Sequence, residues 1–402
     1  MSIVEKPFRR LYTALFALFI VFGMSMTIIG ATLPRILEDF GWSYAGAGVV
    51  IAASAVGYFS ANFFAGLLLK RIGTRATILV GLAVLVTGLM FFARTSSLPV
   101  NLLLNLAIGI GQGFLELTVN YATVRMEKPG SGRAMNLIHG AFSIGAVAGP
   151  LIVGLLMRAA LPWAIVYRGI GVIFALSAFA MPLLPFDLLK DGINNAENKE
   201  KSSLARHPAY WLGFTSLLLY VGVELGISNW IAEYFVSVFG AAPAQGSFMV
   251  SLFWGGLLVG RLGIPIFYKG SRSDVLLIAS ALLMTSTIAG LTIVGFLNGG
   301  PILITLASIL VALAGLGCAL IYPVVVTFIS MAFPNDQSVA IGFSSMGGGV
   351  GSFIFPFIMS AIASSYGIRT GFTTYAFFSI ICVISCVLLI RVVTSRKRET
   401  AK

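Results

Sequence analysis

The sequence is poor in charged residues, in cysteine and in histidine. Charged side chains make up 10% of its 402 residues, whereas a soluble globular chain carries about 25%. Hydrophobic residues make up 58% and the mean hydropathy is +0.98, which is more apolar surface than a soluble protein of this length can bury. The three cysteines exclude a disulfide scaffold, and no Cys/His cluster has the spacing of a metal site. These absences leave a polytopic membrane protein.

Twelve continuous apolar segments are long enough to cross a bilayer, which takes about 20 residues of helix. The first continues to Pro34, well past the about 7–15 residues of a signal-peptide core, so we interpret it as a span. The expected spans are 11–34, 44–69, 76–93, 98–124, 134–157, 162–185, 209–238, 243–268, 275–297, 301–330, 337–363 and 370–391.

The basic residues predict the orientation of these spans. If the N-terminus is cytoplasmic, 21 of the 26 Lys and Arg residues fall on the cytoplasmic side, Arg261 among them. Positive charge is enriched in cytoplasmic loops, so we expect both termini to be cytoplasmic. The net charge of +12 then reflects topology, and we expect no nucleic-acid partner.

The chain divides into two similar halves. Residues 186–208 form the one long polar stretch, which predicts a cytoplasmic linker between six-helix bundles at 1–185 and 209–402. The segments 66–73 and 256–263 match at five of eight positions, at an offset of 190. Further glycine pairs in the same order are Gly109 with Gly315, Gly111 with Gly317, Gly140 with Gly342, Gly145 with Gly347 and Gly149 with Gly351. Parallel six-helix repeats predict a binding site between the halves near the bilayer midplane.

Three acidic residues lie inside spans: Glu116, Glu224 and Glu233. A charge near the bilayer centre costs about 2.5–3.5 kcal/mol, so such residues are functional candidates. Glu116 shares one helix face with Gln112 and Asn120 over about 12 Å. This stripe faces either a polar cavity or a neighbouring helix. In a cavity, Glu116 could carry a coupling proton or bind Na⁺.

The seventh span holds a second polar group. Tyr220 and Glu224 lie on one face, while Asn229 and Glu233 form another pair four residues apart. Glu224 is near the centre of the span, whereas Glu233 lies near its outer end, where water could solvate it. Two tryptophans lie inside spans, Trp230 and Trp254. Each could stack on a sugar ring in a polar cavity or could simply pack in the core.

His139 is a further candidate for ion coupling. It lies about six residues inside the fifth span, and histidine can change charge near neutral pH. A single histidine near a helix end is more often a packing or hydrogen-bonding residue.

The loop after the second span resembles the signature of the major facilitator superfamily. It reads Gly66 followed by Arg71-Ile72-Gly73-Thr74-Arg75, although Lys70 stands where that family usually has Asp. The segments 109–120 and 220–230 resemble the sugar-transporting branch that includes fucose:proton and sodium–glucose symporters. The resemblance implies an all-α protein of twelve transmembrane helices in two parallel repeats.

The resemblance also implies a function. It implies a secondary active transporter for a sugar or similar polar solute, with Glu116 and Asn120 contacting sugar or coupling ion and Glu224 in the central site. The Asn-Asp pair that fucose-type proteins carry is missing from the first span. Coupling would then rest on Glu116 or Glu224, would use Na⁺, or would not exist. We expect no other cofactor and no metal site beyond that Na⁺. We also expect the protein to be a monomer in the lipid bilayer of a bacterial inner membrane.

Two other transport functions remain open, and an enzyme is improbable on this sequence. Gly145, Gly149-Pro150 and Gly154 partly match the motif of proton-coupled drug antiporters, although close helix packing also explains these glycines. Transport of another polar metabolite is the second alternative. A short Gly-x-Ser pattern at Ser228 resembles intramembrane serine proteases, but it is expected by chance in so Gly- and Ser-rich a chain.

Overall fold

The computed structural model describes residues 4–127, 133–189, 204–267, 272–297 and 300–400. Of the predicted linker at 186–208, residues 190–203 lie outside these ranges. So do six of the basic residues that predicted the orientation, namely Lys128, Lys190, Lys199, Lys201, Lys269 and Lys402. The side chains of Arg396, Lys397 and Arg398 are likewise outside the described part.

Within the described ranges the chain is almost entirely α-helical. The helices are α1 Arg9–Phe40, α2 Tyr44–Phe91, α3 Leu98–Met126, α4 Arg133–Arg158, α5 Ile165–Ala180, α6 Pro208–Phe239, α7 Pro243–Phe267, α8 Ser273–Phe296, α9 Pro301–Cys318, α10 Ile321–Ala332, α11 Gln337–Tyr366 and α12 Ile368–Thr400. Proline opens α6, α7 and α9, where its missing N–H would have no helical partner.

Twelve segments of the described chain are long and apolar enough to cross a membrane, which confirms the predicted number of spans. The helix α2 contains two of them and changes direction at Gly73, whose φ of 76° and ψ of 173° are not helical. The helices α9 and α10 together form the tenth span, Pro301–Ala332. Large apolar side chains stay exposed along the spans, such as Phe179 and Ile302, as expected where a helix contacts lipid.

The chain forms two compact units. The first comprises Met1–Trp42 and Val49–Asn195, and the second comprises Ser43–Gly48 and Ala196–Lys402. In the first unit α1 packs mainly against α4. In the second, α6 packs against α7, α11 and α12, and α9 packs against α7 and α8.

The repeated glycines make equivalent helix contacts inside each unit. A Cβ atom added at Gly145 of α4 would lie 1.8 Å from the carbonyl oxygen of Ile20 in α1. A Cβ atom added at Gly351 of α11 would lie 1.9 Å from the carbonyl oxygen of Leu218 in α6. The fifth span therefore packs on the first as the eleventh packs on the seventh.

The glycines of the fourth and tenth spans repeat this relation. A Cβ at Gly109 would lie 2.0 Å from the carbonyl oxygen of Ser54 in the second span, and one at Gly315 would lie 1.9 Å from that of Phe253 in the eighth. Small residues let helix backbones approach closely in membranes. Four of the five repeated glycine pairs thus have a packing cause in both units, whereas a Cβ at Gly140 or Gly342 would meet no heavy atom within 4 Å.

Candidate functional site

The polar stripe of α3 is partly occupied by contacts to other helices of the first unit. Gln112 is 2% exposed, and its Nε2 donates a hydrogen bond of 3.1 Å to Ser25 Oγ in α1. Of the two arrangements that the sequence allowed, Gln112 shows the contact to a partner helix. A neutral interhelical hydrogen bond of this kind satisfies polar groups away from water.

Glu116, one turn further along α3, is also held by a neighbouring helix. The hydroxyl of Tyr58 in α2 donates a hydrogen bond to Glu116 Oε2. Sequence analysis did not identify Tyr58, since a lone tyrosine in an apolar span gives no periodic signal. The residue as a whole is half-buried, and the hydroxyl of Tyr58 is a hydrogen-bond donor to its carboxyl group.

Asn120 completes the stripe and differs from the other two residues. Its side chain is half-buried, and its buried Oδ1 has no hydrogen-bond partner among the described residues. An unpaired buried amide oxygen is costly. Asn120 is therefore the member of the stripe with an acceptor left over for another molecule.

In the second unit, Glu224 lies in a compact polar group at the middle of α6. It is 6% exposed, and the hydroxyl of Tyr220, one turn earlier, donates a hydrogen bond of 2.7 Å to its Oε1. Arg261 Nη2 of α7 lies 3.7 Å from the same oxygen. The carboxylate thus has one hydrogen-bond donor and one cation as neighbours.

The structure shows the partner of Arg261, which the sequence analysis placed in the eighth span, 243–268, and counted on the cytoplasmic side. Arg261 lies inside α7, 18 residues after Pro243, or about 27 Å along the helix axis. Its side chain is 29% exposed and ion-paired with Glu224. The sequence signal for it was the repeated motif at 256–263, which places Arg261 where Arg71 stands in the first half.

The two tryptophans within spans are buried. Trp254 is 3% exposed, and its Nε1 donates a hydrogen bond of 2.8 Å to Ser228 Oγ. Trp230 is fully buried, and its Nε1 has no hydrogen-bond partner within the described chain. Asn229, directly before Trp230 in the sequence, is half-buried. The donor of Trp254 is thus paired with Ser228, whereas that of Trp230 is unused.

A second unused donor lies nearby on α12. The hydroxyl of Tyr375, a fully buried residue, also lacks a hydrogen-bond partner in the described structure. Its ring fills the space that Gly226 of α6 leaves open, since a Cβ there would lie 2.3 Å from a ring carbon. Sequence analysis missed Tyr375, because only the tertiary structure brings α12 to this face of α6.

Glu233 is not solvated, contrary to the sequence-based expectation. It is 5% exposed, and its Oε1 accepts hydrogen bonds from Ser237 (2.5 Å) and Tyr44 (3.0 Å). Tyr44 belongs to the segment Ser43–Gly48, which is part of the second unit. Two hydroxyl donors replace the water that we expected around this carboxyl group.

His139 lies apart from these groups on α4. It is exposed, and its ring contacts the edge of Phe19 in α1, with ring centroids 6.1 Å apart. Its role in ion coupling stays a prediction.

Comparison with known proteins identifies the family. The sequence profile of the Major Facilitator Superfamily matches residues 15–311 and 270–402. The chain belongs to this superfamily. As a superfamily member it is an integral membrane transporter and not an enzyme, which confirms both expectations.

Similar proteins include named sugar transporters. This superfamily member is 25% identical to the glucose/galactose transporter of Brucella abortus, over 92% of this chain and 91% of that protein. It is also 25% identical to bypass of stop codon protein 6 of Saccharomyces cerevisiae, over 88% of this chain and 76% of that protein. The crystal structure of the E. coli fucose:proton symporter FucP matches with a TM-score of 0.64 at 20% identity, covering 96% of this chain and 99% of FucP.

Proposed function

We propose that this protein is a secondary active transporter that moves a sugar or similar polar solute by alternating access, in symport with H⁺ or Na⁺. The observation that carries the proposal is a carboxyl group within a membrane span of each unit, held by a tyrosine. These are Glu116 with Tyr58 and Glu224 with Tyr220. Intramembrane carboxyl groups are costly and typically mark substrate or ion pathways.

The polar groups left over in the structure suit a solute rich in hydroxyls. Asn120 Oδ1 offers an acceptor, while Trp230 Nε1 offers a donor. The Brucella relative, named a glucose/galactose transporter, supports the same class of substrate. We assign substrate contacts to Gln112, Asn120, Tyr220, Glu224, Asn229, Trp230 and Trp254, and ion coupling to Glu116, Glu224 and His139. If the ion is Na⁺, Glu116 is its proposed ligand.

The glycines that favoured a drug antiporter have a simpler cause. An added Cβ at Gly145 or Gly149 would meet the α1 backbone at 1.8 Å or 2.9 Å. Close packing of α4 on α1 therefore accounts for both residues. The transport experiment below includes a lipophilic cation to test the drug antiporter as the alternative.

The proposed setting is a bacterial inner membrane, with the protein as a monomer and both termini in the cytoplasm. The apparent excess of basic residues on one side of the spans supports this orientation. We further propose that residues 1–185 and 209–402 act as the two moving halves, joined by a linker at 186–208.

The test is uptake by proteoliposomes that contain the purified protein. Radiolabelled glucose, galactose, mannose and fucose, and a lipophilic cation, would each be offered under a pH gradient, a Na⁺ gradient or neither. We expect accumulation of at least one sugar under one gradient. Accumulation or export of the cation alone would refute the proposal.

The variant Glu116→Gln tests the coupling role of the first unit. Its amide keeps the shape of the side chain but cannot carry a proton or hold Na⁺ as a carboxylate does. If Glu116 couples transport, the variant loses gradient-driven accumulation and retains sugar exchange. The matched control is Glu5→Gln, at an exposed position, which should behave as the wild type. Normal accumulation by Glu116→Gln would remove this residue from coupling.

A further inference from the structure

An arginine and a carboxylate depend on each other inside the second unit. Glu224 Oε1 and Arg261 Nη2 are 3.7 Å apart, with side-chain exposures of 8% and 29%. Removing one partner of a buried ion pair leaves an uncompensated charge, which is far more costly than removing both. The pair is thus neutral only as long as Glu224 is ionised.

The surroundings of Glu224 contain little else that could balance its charge. The titratable or charged neighbours are Tyr220 on its own helix, Arg261 on α7, the buried thiol of Cys318 on α9 and Tyr375 on α12, whose ring packs on Gly226. Against α6, the α10 helix presents Ile329 at Gly213, and α11 presents Ser344 at Gly213 and Phe355 at Gly222. None of these side chains carries a charge. Among these described neighbours, the positive charge is that of Arg261.

The guanidinium decides which ion this carboxylate can accept. A Na⁺ ion bound at Glu224 Oε1 would lie beside Arg261, and like charges this close repel strongly where water is scarce. A proton is different, because it forms a covalent O–H bond and ends the negative charge of the carboxylate. Tyr220 already occupies the same oxygen with its hydrogen bond, which further limits the room for a metal ion.

We propose that Glu224 exchanges protons and not Na⁺, and that Arg261 is the positioning residue that acts as its counter-ion. This inference rests on the proposed transport function and names the coupling ion at this site. A proton adds to a carboxylate oxygen of Glu224, the ion pair ends, and the guanidinium keeps its charge. No group is oxidised or reduced.

The charge change links proton binding to solute binding. Once Glu224 is neutral, Arg261 needs other acceptors for its N–H groups, and its partly exposed side chain can turn towards them. Hydroxyl or ring oxygens of a polar solute provide such acceptors. Proton uptake thereby makes the donors of Arg261 available to the solute.

The experiment compares Glu224→Gln, Arg261→Gln, the double variant Glu224→Gln/Arg261→Gln and Arg261→Lys. The control neutralises an exposed pair in the same unit, Asp274→Asn/Arg272→Gln, whose charged atoms are 3.0 Å apart. Thermal melting in detergent, proton-driven accumulation and sugar counterflow would be measured for each protein. Melting reports the ion pair itself, whereas the ratio of accumulation to counterflow separates coupling from solute binding.

We expect the wild type to accumulate sugar under a pH gradient in the absence of Na⁺. Each single Gln variant should melt below the double variant, because it leaves one buried charge alone. The double variant should lose proton-driven accumulation to the level of empty liposomes, and its counterflow should weaken because Glu224 and Arg261 are also proposed to contact the solute. Arg261→Lys retains the cation and should recover part of the accumulation, while the Arg272/Asp274 control should match the wild type.

Three outcomes would overturn the inference. Proton-driven accumulation by the double variant would make the pair purely structural, and accumulation driven by Na⁺ but not by protons would make the ion assignment wrong. Single variants that melt no lower than the double variant would show that the two charges do not depend on each other. This last result is independent of transport, so it stays decisive even if the wild type moves no sugar and the proposed function itself fails.

Discussion

Replacement of Gly351 by alanine tests the close packing of α11 on α6. An added Cβ would lie 1.9 Å from the carbonyl oxygen of Leu218 and 2.8 Å from its carbonyl carbon. Side-chain carbons essentially never come within 3.0 Å of another heavy atom, so the helices must separate by about 1 Å. The obstacle is backbone, which cannot turn aside as a side chain can.

The magnitude follows from two opposing effects. Overpacking typically costs about 1–3 kcal/mol, whereas alanine is better than glycine within a helix by about 0.5–1 kcal/mol. We therefore expect Gly351→Ala to lower the free energy of unfolding by about 1–2 kcal/mol. The melting temperature should fall by a few degrees.

Gly342 provides the matched control on the same helix. A Cβ at Gly342 would have no heavy atom within 4 Å, so Gly342→Ala gains helix propensity without a clash. Both variants would be melted in the same detergent by scanning fluorimetry. A Gly351→Ala protein as stable as Gly342→Ala would refute the packing argument.

Three further variants probe single contacts. Gln112→Leu removes the hydrogen bond to Ser25 and should lower the free energy of unfolding by about 1 kcal/mol. Uptake should stay normal if Gln112 only links two helices, and should fail if Gln112 also contacts the solute. Tyr167→Phe removes the buried 2.8 Å contact to Thr32 and should cost about 1 kcal/mol in melting experiments, without changing uptake. Asp187→Asn removes the ion pair with Arg75, but Asp187 is 85% exposed, so a loss above about 1 kcal/mol would contradict the expectation for surface pairs.

The fold was predictable because a bilayer imposes a single rule on the backbone. Every polar backbone group must be paired within the span, so long apolar runs become helices. This rule led to the twelve spans, and the glycine repeat indicated which spans correspond between the two halves. The sequence did not predict that α2 continues through two spans or that α9 ends before α10. These features depend on local backbone angles such as those of Gly73.

The candidate residues were predictable only as individual positions. Periodicity placed Gln112, Glu116 and Asn120 on one face, but the same spacing fits a cavity and a partner helix equally well. The structure distinguishes them, with Gln112 paired to α1 and Asn120 Oδ1 left over. Tyr58 and Tyr375 come from distant spans and carried no signal of their own.

The sequence by itself determined that this protein is a membrane-spanning helical protein with carboxyl groups inside its spans, because hydropathy and the cost of buried charge depend on composition along the chain. Only the tertiary structure decided what neutralises each carboxyl group. Arg261 is 37 positions from Glu224 in the sequence and lies in the next span, yet its Nη2 lies 3.7 Å from Glu224 Oε1. The reason is physical. Hydropathy is calculated for each span by itself, whereas the charge state of a buried group depends on the helices packed around it.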